Sequence, residues 1–513
     1  MNKNNKKETF ATKHETTLIK TITFKGWEII PTEIEISITP GIPIMSIVGL
    51  PNKTVNESKE RIRCVLSHLG IGLPIGRIII NLSPADLIKD GTHYDLGILC
   101  GLLIHLKLLN IEEVNTYIFF GELQLNGDIL PTQGGLPVGI FAYKNNLKLI
   151  TSSLSNKELT ALENKFNIFL FTNVLNLLLY FQNYDVNRIV CVNNYIPVSI
   201  PIHDENVYLA PIVKRLMEIT LIGNHNILLY GPPGGGKTTL AKILSQLLPD
   251  LTKEESLEVS SIYSMCGLLN NELLVRPPFR APHASCSVYS LLGGGSKPKP
   301  GEVSLAHKGL LFLDELNNFE SGILDSLREC LTEDIVRVSR VNYHITYPSE
   351  IQLIAAMNPC KCGFLGSQYK ICTCSIKTLD AYKSKISGPF LNRIAIKFFL
   401  EEANYNKAIS QKEWIQSTRQ RILRTREKSK EIFKKQSNTY KISRIPFHIL
   451  EENLTFTANG EKLLKKYCED KKLSIRSYNN LVRLAFSISL YGEANVIHED
   501  DISEGIFFAS NYN

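Results

Sequence analysis

An α/β fold organised around a strand, a phosphate-binding loop and a helix is predicted by three segments of the 513-residue chain. The octapeptide GPPGGGKT at 231–238 stands between an apolar run at 227–230 and a helix-like stretch at 239–244. GLLFLDE at 309–315 is an apolar strand ending in two acids, and 351–357 is a third apolar run, ending in Asn358. The loop residues Gly231, Pro232, Pro233, Gly234, Gly235 and Gly236 let the backbone turn its N–H groups toward a polyphosphate. Lys237 then reaches the β- and γ-phosphates, the Thr238 hydroxyl holds Mg²⁺, and Thr239 opens the helix behind it. Asp314 coordinates the same Mg²⁺ through water, while Glu315 orients and deprotonates the attacking water. Asn358, at the adjacent strand tip, is placed to read the γ-phosphate. Hydrolysis of ATP or GTP, beyond mere binding, is the expectation.

In chain order, residues 1–15 (MNKNNKKETFATKHE) are polar and mildly basic, and predict a disordered tail with no signal-type apolar stretch behind it. From 16 to 195, short apolar strands (34–38, 44–48, 77–82, 117–121) alternate with helical patterns (55–69, 94–106), which predicts an α/β domain. The Asn- and Pro-containing stretch at 196–205 reads as a linker. The nucleotide-hydrolysing core follows at 206–400, and a charged helical segment at 401–513 closes the chain as a lid. Within the core, SGPFLNR at 387–393 sets Arg393 after a helix-starting Gly-Pro, where its guanidinium can stabilise transition-state charge in a neighbouring subunit.

Composition narrows the class. An apolar content of 44% supports buried cores, and no run reaches the eighteen or so apolar residues that a membrane-spanning helix needs. Eleven cysteines are too sparse for a disulfide scaffold, and a nucleotide-hydrolysing chain belongs in the reducing cytoplasm. Four of them, Cys360, Cys362, Cys372 and Cys374, form two Cys-x-Cys pairs in one loop directly after the third strand. Four thiolates so spaced match a closed tetrahedral Zn²⁺ site of structural purpose. The net charge of +7 is concentrated at 407–444, where twelve Lys or Arg face three Glu. That stretch fits either a track for nucleic-acid phosphates or a solvated helix face.

Longer segments carry a family likeness. IVGLPNKTVNESKERIR (47–63), INLSPADLIKDG (80–91), GELQLNGDILPTQGGL (121–136), RPPFRAPH (276–283), GGGSKPKPGEVSLAHKGLLFLDEL (293–316), AAMNPCKCG (355–363) and ISGPFLNRI (386–394) join the phosphate loop in the set. With them the chain resembles the ComM/YifB group of magnesium-chelatase-like AAA+ ATPases over nearly its full length. The resemblance implies a Lon-protease-like (ribosomal S5-like) α/β domain before a P-loop AAA+ core with a helical lid. It further implies a homo-oligomeric ring, a hexamer, acting as an ATP-driven motor on branched or displaced DNA strands, with recombination proteins as possible partners.

By that resemblance 231–238 is Walker A, Asp314 and Glu315 are Walker B, Asn358 is sensor 1 and Arg393 the arginine finger. SIRSYNNLVRLA (474–485) resembles a sensor 2 helix, so that Arg476 reaches the γ-phosphate of its own subunit. Departures are Gly235 for the usual Thr or Ser, Asn392 and Ala395 where aspartates flank the finger, and Ala284 in place of a second histidine. In a ring, two basic insertions are expected to face the channel and grip phosphates. One is the loop 276–308, with Arg276, Arg280, His283, Lys297 and Lys299; the other is the hairpin-like 335–347, with Arg337 and Arg340. The competing reading is that they cement subunit contacts. In Lon-like peptidases a serine follows Lys-Asp-Gly-x and a lysine follows Gly-Gly-Leu. His93 and Pro137 stand there instead, so no peptidase activity is expected. A magnesium-chelatase subunit and a protein-remodelling ATPase are the alternative functions.

Overall fold

Isoleucine alternation builds the first sheet. In β2 (Glu28–Thr39) Thr32, Ile34 and Ile36 are fully buried while their neighbours are not, so one face of the strand is core. It pairs antiparallel with β1 (Thr17–Lys25) on one side and β4 (Arg77–Ser83) on the other. Parallel pairing adds β3 (Met45–Val48) beside β4, and β5 (Tyr117–Phe120), β6 (Lys148–Ser152) and β7 (Ile168–Phe171) beyond β1. The sheet order is β3-β4-β2-β1-β5-β6-β7. Helix α1 (Lys53–His68) starts on an Asn52 side chain that accepts from the Val55 N–H, and α2 (Tyr94–His105) is buried from Tyr94 through Leu103. Two glycines let α2 lie flat on the sheet. A Cβ at Gly97 would sit 2.8 Å from Ile34 Cδ1, and one at Gly101 2.6 Å from Ile36 Cδ1. Buried Asp95 at the start of α2 accepts from Arg61 Nε at 2.6 Å and also from Ser58, which locks α1 to α2. Helix α3 (Gly135–Lys144) belongs to the same unit.

The computed structural model describes residues 16–159, 162, 167–184, 206–270, 272–295, 298–340, 343–401, 409–434, 441–494 and 496–510. The expected tail at 1–15, the linker at 196–205 and Lys297 lie outside the described residues. Two compact units emerge, Met1–Pro197 with Ser260–Leu273, and Val198–Val259 with Leu274–Asn513. Among the described residues no helix is long and apolar enough to cross a membrane.

In the second unit five parallel strands form one sheet. In chain order they are β8 (Ile227–Tyr230), β9 (Phe279–Arg280), β10 (Leu310–Leu313), β13 (Gln352–Met357) and β14 (Ile396–Phe399), arranged β9-β10-β13-β8-β14. Between β10 and β13 run helix α4 (Ser321–Glu333) and an antiparallel hairpin of β11 (Ile335–Arg340) and β12 (Tyr343–Pro348), as the alternation at 335–347 predicts. Strands buried on both faces read as near-continuous apolar runs, which is why LLFL and QLIAAM were legible. The lid contributes α6 (Lys412–Phe433), α7 (Ala458–Lys471), α8 (Ile475–Tyr491) and α9 (Glu499–Ser510), whose apolar faces share one core with α5 (Lys237–Leu247) behind the phosphate loop.

Much of the basic stretch at 407–444 proves to be structural. Arg419 pairs with Asp250 at 2.5 Å, Arg421 with buried Glu218 at 3.2 Å, and Arg444 with Asp334 at 2.8 Å. Arg426 is buried and donates to the Leu221 carbonyl at 2.7 Å, while Arg424 and Lys430 remain exposed. Glu350 accepts from both Lys308 and buried Lys441. Burial alone would raise its carboxyl, but the charges of Lys441 and Lys308 outweigh that and pull it from about 4.5 down to about 2. Lys441 is itself lowered by burial against the pull of Glu350, so the arrangement is costly to place and costlier to break.

An acid lowered in the fold stabilises it above the unfolded pKa, and that contribution disappears as pH falls through the folded value. Glu350→Ala should therefore cost on the order of 3 kcal/mol at neutral pH in denaturant unfolding. The gap from the parent protein should narrow as pH falls from about 4.5 toward 2.

Candidate functional site

Strand register gathers the site. Tyr230, the last residue of β8, sits opposite Met357 of β13 and Phe399 of β14, and Leu313 of β10 sits opposite Ala355. The residues that follow, Gly231, Asn358 and Asp314, thus emerge at one edge, the carboxyl ends of parallel strands where ligands bind in open α/β sheets. The loop runs close to its neighbours. A Cβ at Gly231 would lie 2.1 Å from the Leu400 carbonyl oxygen, so no larger residue fits there. Gly234 (φ 82) and Gly236 (φ 79) take left-handed turns, and Gly236 caps α5.

Lys237 Nζ donates to the carbonyls of Gly231 at 2.7 Å and Pro232 at 2.9 Å, and to Asn358 Oδ1 at 3.2 Å. Burial lowers its pKa and the nearby Asp314 opposes that. Thr238 Oγ1 donates to Asp314 Oδ2 at 2.9 Å, which sets a hydroxyl and a carboxylate side by side as a Mg²⁺ site requires; Thr239 is half-buried behind them. Glu315 adopts a left-handed backbone (φ 51), its N–H donates to Asp314 Oδ1 at 2.9 Å, and its side chain is exposed.

Three residues that sequence reading missed hold this machinery. Asn318 Nδ2 donates to Glu315 Oε2 at 2.8 Å, Asn317 Nδ2 donates to the Tyr382 carbonyl at 3.2 Å, and Tyr382 OH donates to the Asn358 carbonyl at 3.2 Å. The only sequence signal was the Asn317-Asn318 pair one residue past the two acids. Arg393 lies farther along, its Nη1 donating to the Pro389 carbonyl at 2.7 Å. Burial lowers its pKa, followed by the positive charges of Arg476 and Arg328, so the structure brings Arg476 into electrostatic range of Arg393. Neither Arg393 nor Arg476 is paired with a carboxylate among the described residues.

The sulfurs of Cys360, Cys362, Cys372 and Cys374 all lie within 4.8 Å of one another. Three separations are 3.3, 3.6 and 3.5 Å. A tetrahedron of sulfurs at about 2.3 Å from Zn²⁺ has edges near about 3.8 Å. The Phe364 and Thr373 N–H groups donate to Cys362 and pull its thiol down to about 6, while within the same cluster the Cys372 and Cys374 thiols are shifted upward, so Cys362 is the one favoured as thiolate.

The basic insertions are less free than their sequence implies. Arg280 makes a bidentate pair with Glu302 at 2.6 and 2.7 Å, Arg276 faces Asp250 at 3.6 Å, and Arg337 pairs with Glu329 at 2.5 Å and also with Glu333. His283 is exposed, with Ser285 Oγ at 2.7 Å from its Nδ1, and Lys299 is exposed in a short hairpin pairing Gly293–Gly294 with Lys299–Pro300. Strand β11 ends at Arg340. In the first unit His93 is buried with Nε2 3.0 Å from the Ile22 carbonyl, and burial drives its pKa down to about 4. Pro137 is buried in α3.

A parallel sheet in this order, with a lysine loop, paired acids and a polar sensor at adjoining strand tips, defines a P-loop ATPase of the AAA+ type. Residues 205–408 match the family described as magnesium chelatase, subunit ChlI, residues 34–156 that of subunit ChlI of Mg-chelatase, and residues 412–508 that of the subunit's C-terminal part. The chain is 33% identical to YifB of Escherichia coli, covering 93% of this chain and 94% of that protein. It is 33% identical to the competence protein ComM of Haemophilus influenzae, covering 90% and 91%. Likeness to the magnesium-chelatase subunit ChlI of Cyanidium caldarium is 25% and covers 30% of this chain and 51% of that one. The chain belongs to the ComM/YifB group of magnesium-chelatase-like AAA+ ATPases.

Lys237→Ala should abolish binding of a fluorescent ATP analogue. Glu315→Gln should bind it normally and turn over at least about a hundredfold more slowly, the loss expected where a carboxylate serves as general base. Phosphate release and equilibrium binding, measured on the same preparations, separate the two effects.

Proposed function

We propose that the chain is an ATP-driven motor acting on DNA as a homo-oligomeric ring, a hexamer, in the cytoplasm. It would promote branch migration or strand displacement during recombination or the integration of incoming DNA. The observation that carries this reading is likeness to a competence protein along nine-tenths of both chains, joined to the Lys237, Asp314 and Asn358 cluster. Likeness to a named chelatase subunit, by contrast, spans under a third of the chain. ATP and Mg²⁺ are the expected cofactors, and the cysteine geometry supports a structural Zn²⁺ as a third.

Arg393 and Arg476 share one charge environment and lack a carboxylate partner among the described residues. That supports assigning both to the γ-phosphate of the neighbouring subunit, in place of the cis role that the resemblance implied for Arg476. Of the basic insertions, Lys299 and His283 are the best candidates for DNA, because Arg280 and Arg337 already spend their charge on Glu302, Glu329 and Glu333. The Lon-like unit is assigned a scaffold role. An imidazole buried against the Ile22 carbonyl and a proline ring supply neither the nucleophile nor the base of a Ser-Lys dyad.

Strand displacement on forked and four-way DNA tests the proposal. ATP-dependent displacement should appear with the parent protein and vanish in Glu315→Gln. Lys299→Ala should weaken DNA binding and flatten the dependence of log affinity on log salt by about one. No displacement and no DNA stimulation of hydrolysis would leave a chelatase-like or protein-remodelling ATPase as the better description.

A further inference from the structure

We infer that the four-cysteine loop governs the affinity of the nucleotide site, so that Zn²⁺ and ATP bind cooperatively. The inference rests on the readings above, that 231–238 binds ATP and that the four cysteines hold Zn²⁺. Three contacts tie the loop to the phosphate site. Cys360 is buried only two residues beyond Asn358, whose Oδ1 accepts from Lys237. The turn after it is organised around the cysteine itself, with the Leu365 N–H donating to Cys360 Sγ at 3.4 Å and the Gly363 N–H to the Cys360 carbonyl at 3.0 Å. That turn then lies on the phosphate loop. Gly363 (φ 86) approaches so closely that a Cβ would sit 3.1 Å from Pro233 Cδ.

The next glycine makes the second approach. A Cβ at Gly366 (φ 81) would sit 2.9 Å from Phe399 Cζ, and Phe399 packs edge-on against Tyr230, the residue before the phosphate loop, with centroids 5.3 Å apart. Beyond the cysteines, the helix Ile376–Lys383 starts on Ser375 and returns Tyr382 to the Asn358 carbonyl. The loop therefore meets the phosphate loop directly, the strand before it through Phe399, and Asn358 through Tyr382 of the helix that follows.

The loop has little apolar core of its own to hold it in place. Of its large apolar side chains, Phe364 and Leu365 are half-buried, and Tyr369 and Ile371 are 84% and 87% exposed. Metal–thiolate bonds are the available source of order, and binding energy at such a site is ordering energy for the chain around it. A metal that fixes the turn on Pro233 removes freedom that nucleotide binding would otherwise have to remove. By linkage the nucleotide must strengthen metal binding by the same factor, and couplings of this kind are typically about 5- to 150-fold.

The test uses full-length, zinc-loaded protein and a chelator selective for zinc over magnesium, with Mg²⁺ in excess over nucleotide. Zinc retained by the protein is measured against chelator concentration, with and without a non-hydrolysable ATP analogue. The analogue should raise the concentration for half-removal at least about fivefold. Zinc-stripped protein should bind a fluorescent ATP analogue weaker by the same factor, and added zinc should restore it. Gly363→Ala keeps all four thiols and should still hold zinc, while losing most of the coupling. Protein that holds zinc equally with and without nucleotide, and binds nucleotide equally with and without zinc, overturns the coupling alone. Protein that holds no zinc overturns the metal reading and the coupling together. Protein that holds zinc and binds no nucleotide overturns the ATP reading.

Discussion

The pairing of Tyr230 with Met357 across β8 and β13 is the constraint on which the rest of this chain's chemistry depends. It sets the start of the phosphate loop and the sensor residue at the same height, so that Lys237 reaches Asn358 Oδ1 at 3.2 Å. A slip of one residue would turn Asn358 to the opposite face of the sheet. The same edge receives Asp314 from β10, and Thr238 meets it at 2.9 Å. Three strands separated by long stretches of sequence are thus brought to one edge by their backbone pairing. The glycines matter because the loop must pass within van der Waals contact of the Leu400 carbonyl on the other side.

Charge follows a division of labour. Inside the second unit, Glu218, Glu350 and Asp334 hold lid arginines and lysines onto the ATPase fold. Buried pairs of this kind contribute little net stability, yet removing one partner is expensive, so they fix where the lid packs. Arg393 and Arg476 are different, because no carboxylate among the described residues answers them. Paired guanidiniums repel each other unless an anion arrives, which suits a site completed by another subunit's phosphate.

The sequence made the local features legible and left the tertiary ones hidden. Apolar runs located β8, β10 and β13 because both faces of those strands are core, and GPPGGGKT is a motif whose chemistry resides in its own eight residues. The helical patterns at 55–69 and 94–106 match α1 and α2 closely. Gly97 and Gly101 gave no local sign of their purpose, which is to admit Ile34 and Ile36 of another element. Asn318 and Tyr382 were equally silent, because a hydrogen bond to Glu315 or to the Asn358 carbonyl exists only once the fold brings them there. Basic residues at 276–308 and 407–444 left two readings open for the same reason. Glu302 stands in the same loop as Arg280 but 22 residues along it, and Asp250 and Glu218, which pair with Arg419 and Arg421, lie far outside 407–444. The division within the helix Lys253–Cys266, whose end joins the first unit, has no signature in a continuous helical pattern.

Completion of each nucleotide site by a neighbour's arginines can be read directly from mixtures of two inactive variants. Arg393→Ala and Lys237→Ala proteins, each inactive alone, should recover ATPase activity when mixed, because one supplies intact phosphate loops and the other intact arginines. Recovery that rises and then falls as the mixing ratio is varied is the predicted result. Full activity of Arg393→Ala by itself, or no recovery at any ratio despite mixed assembly, would contradict it.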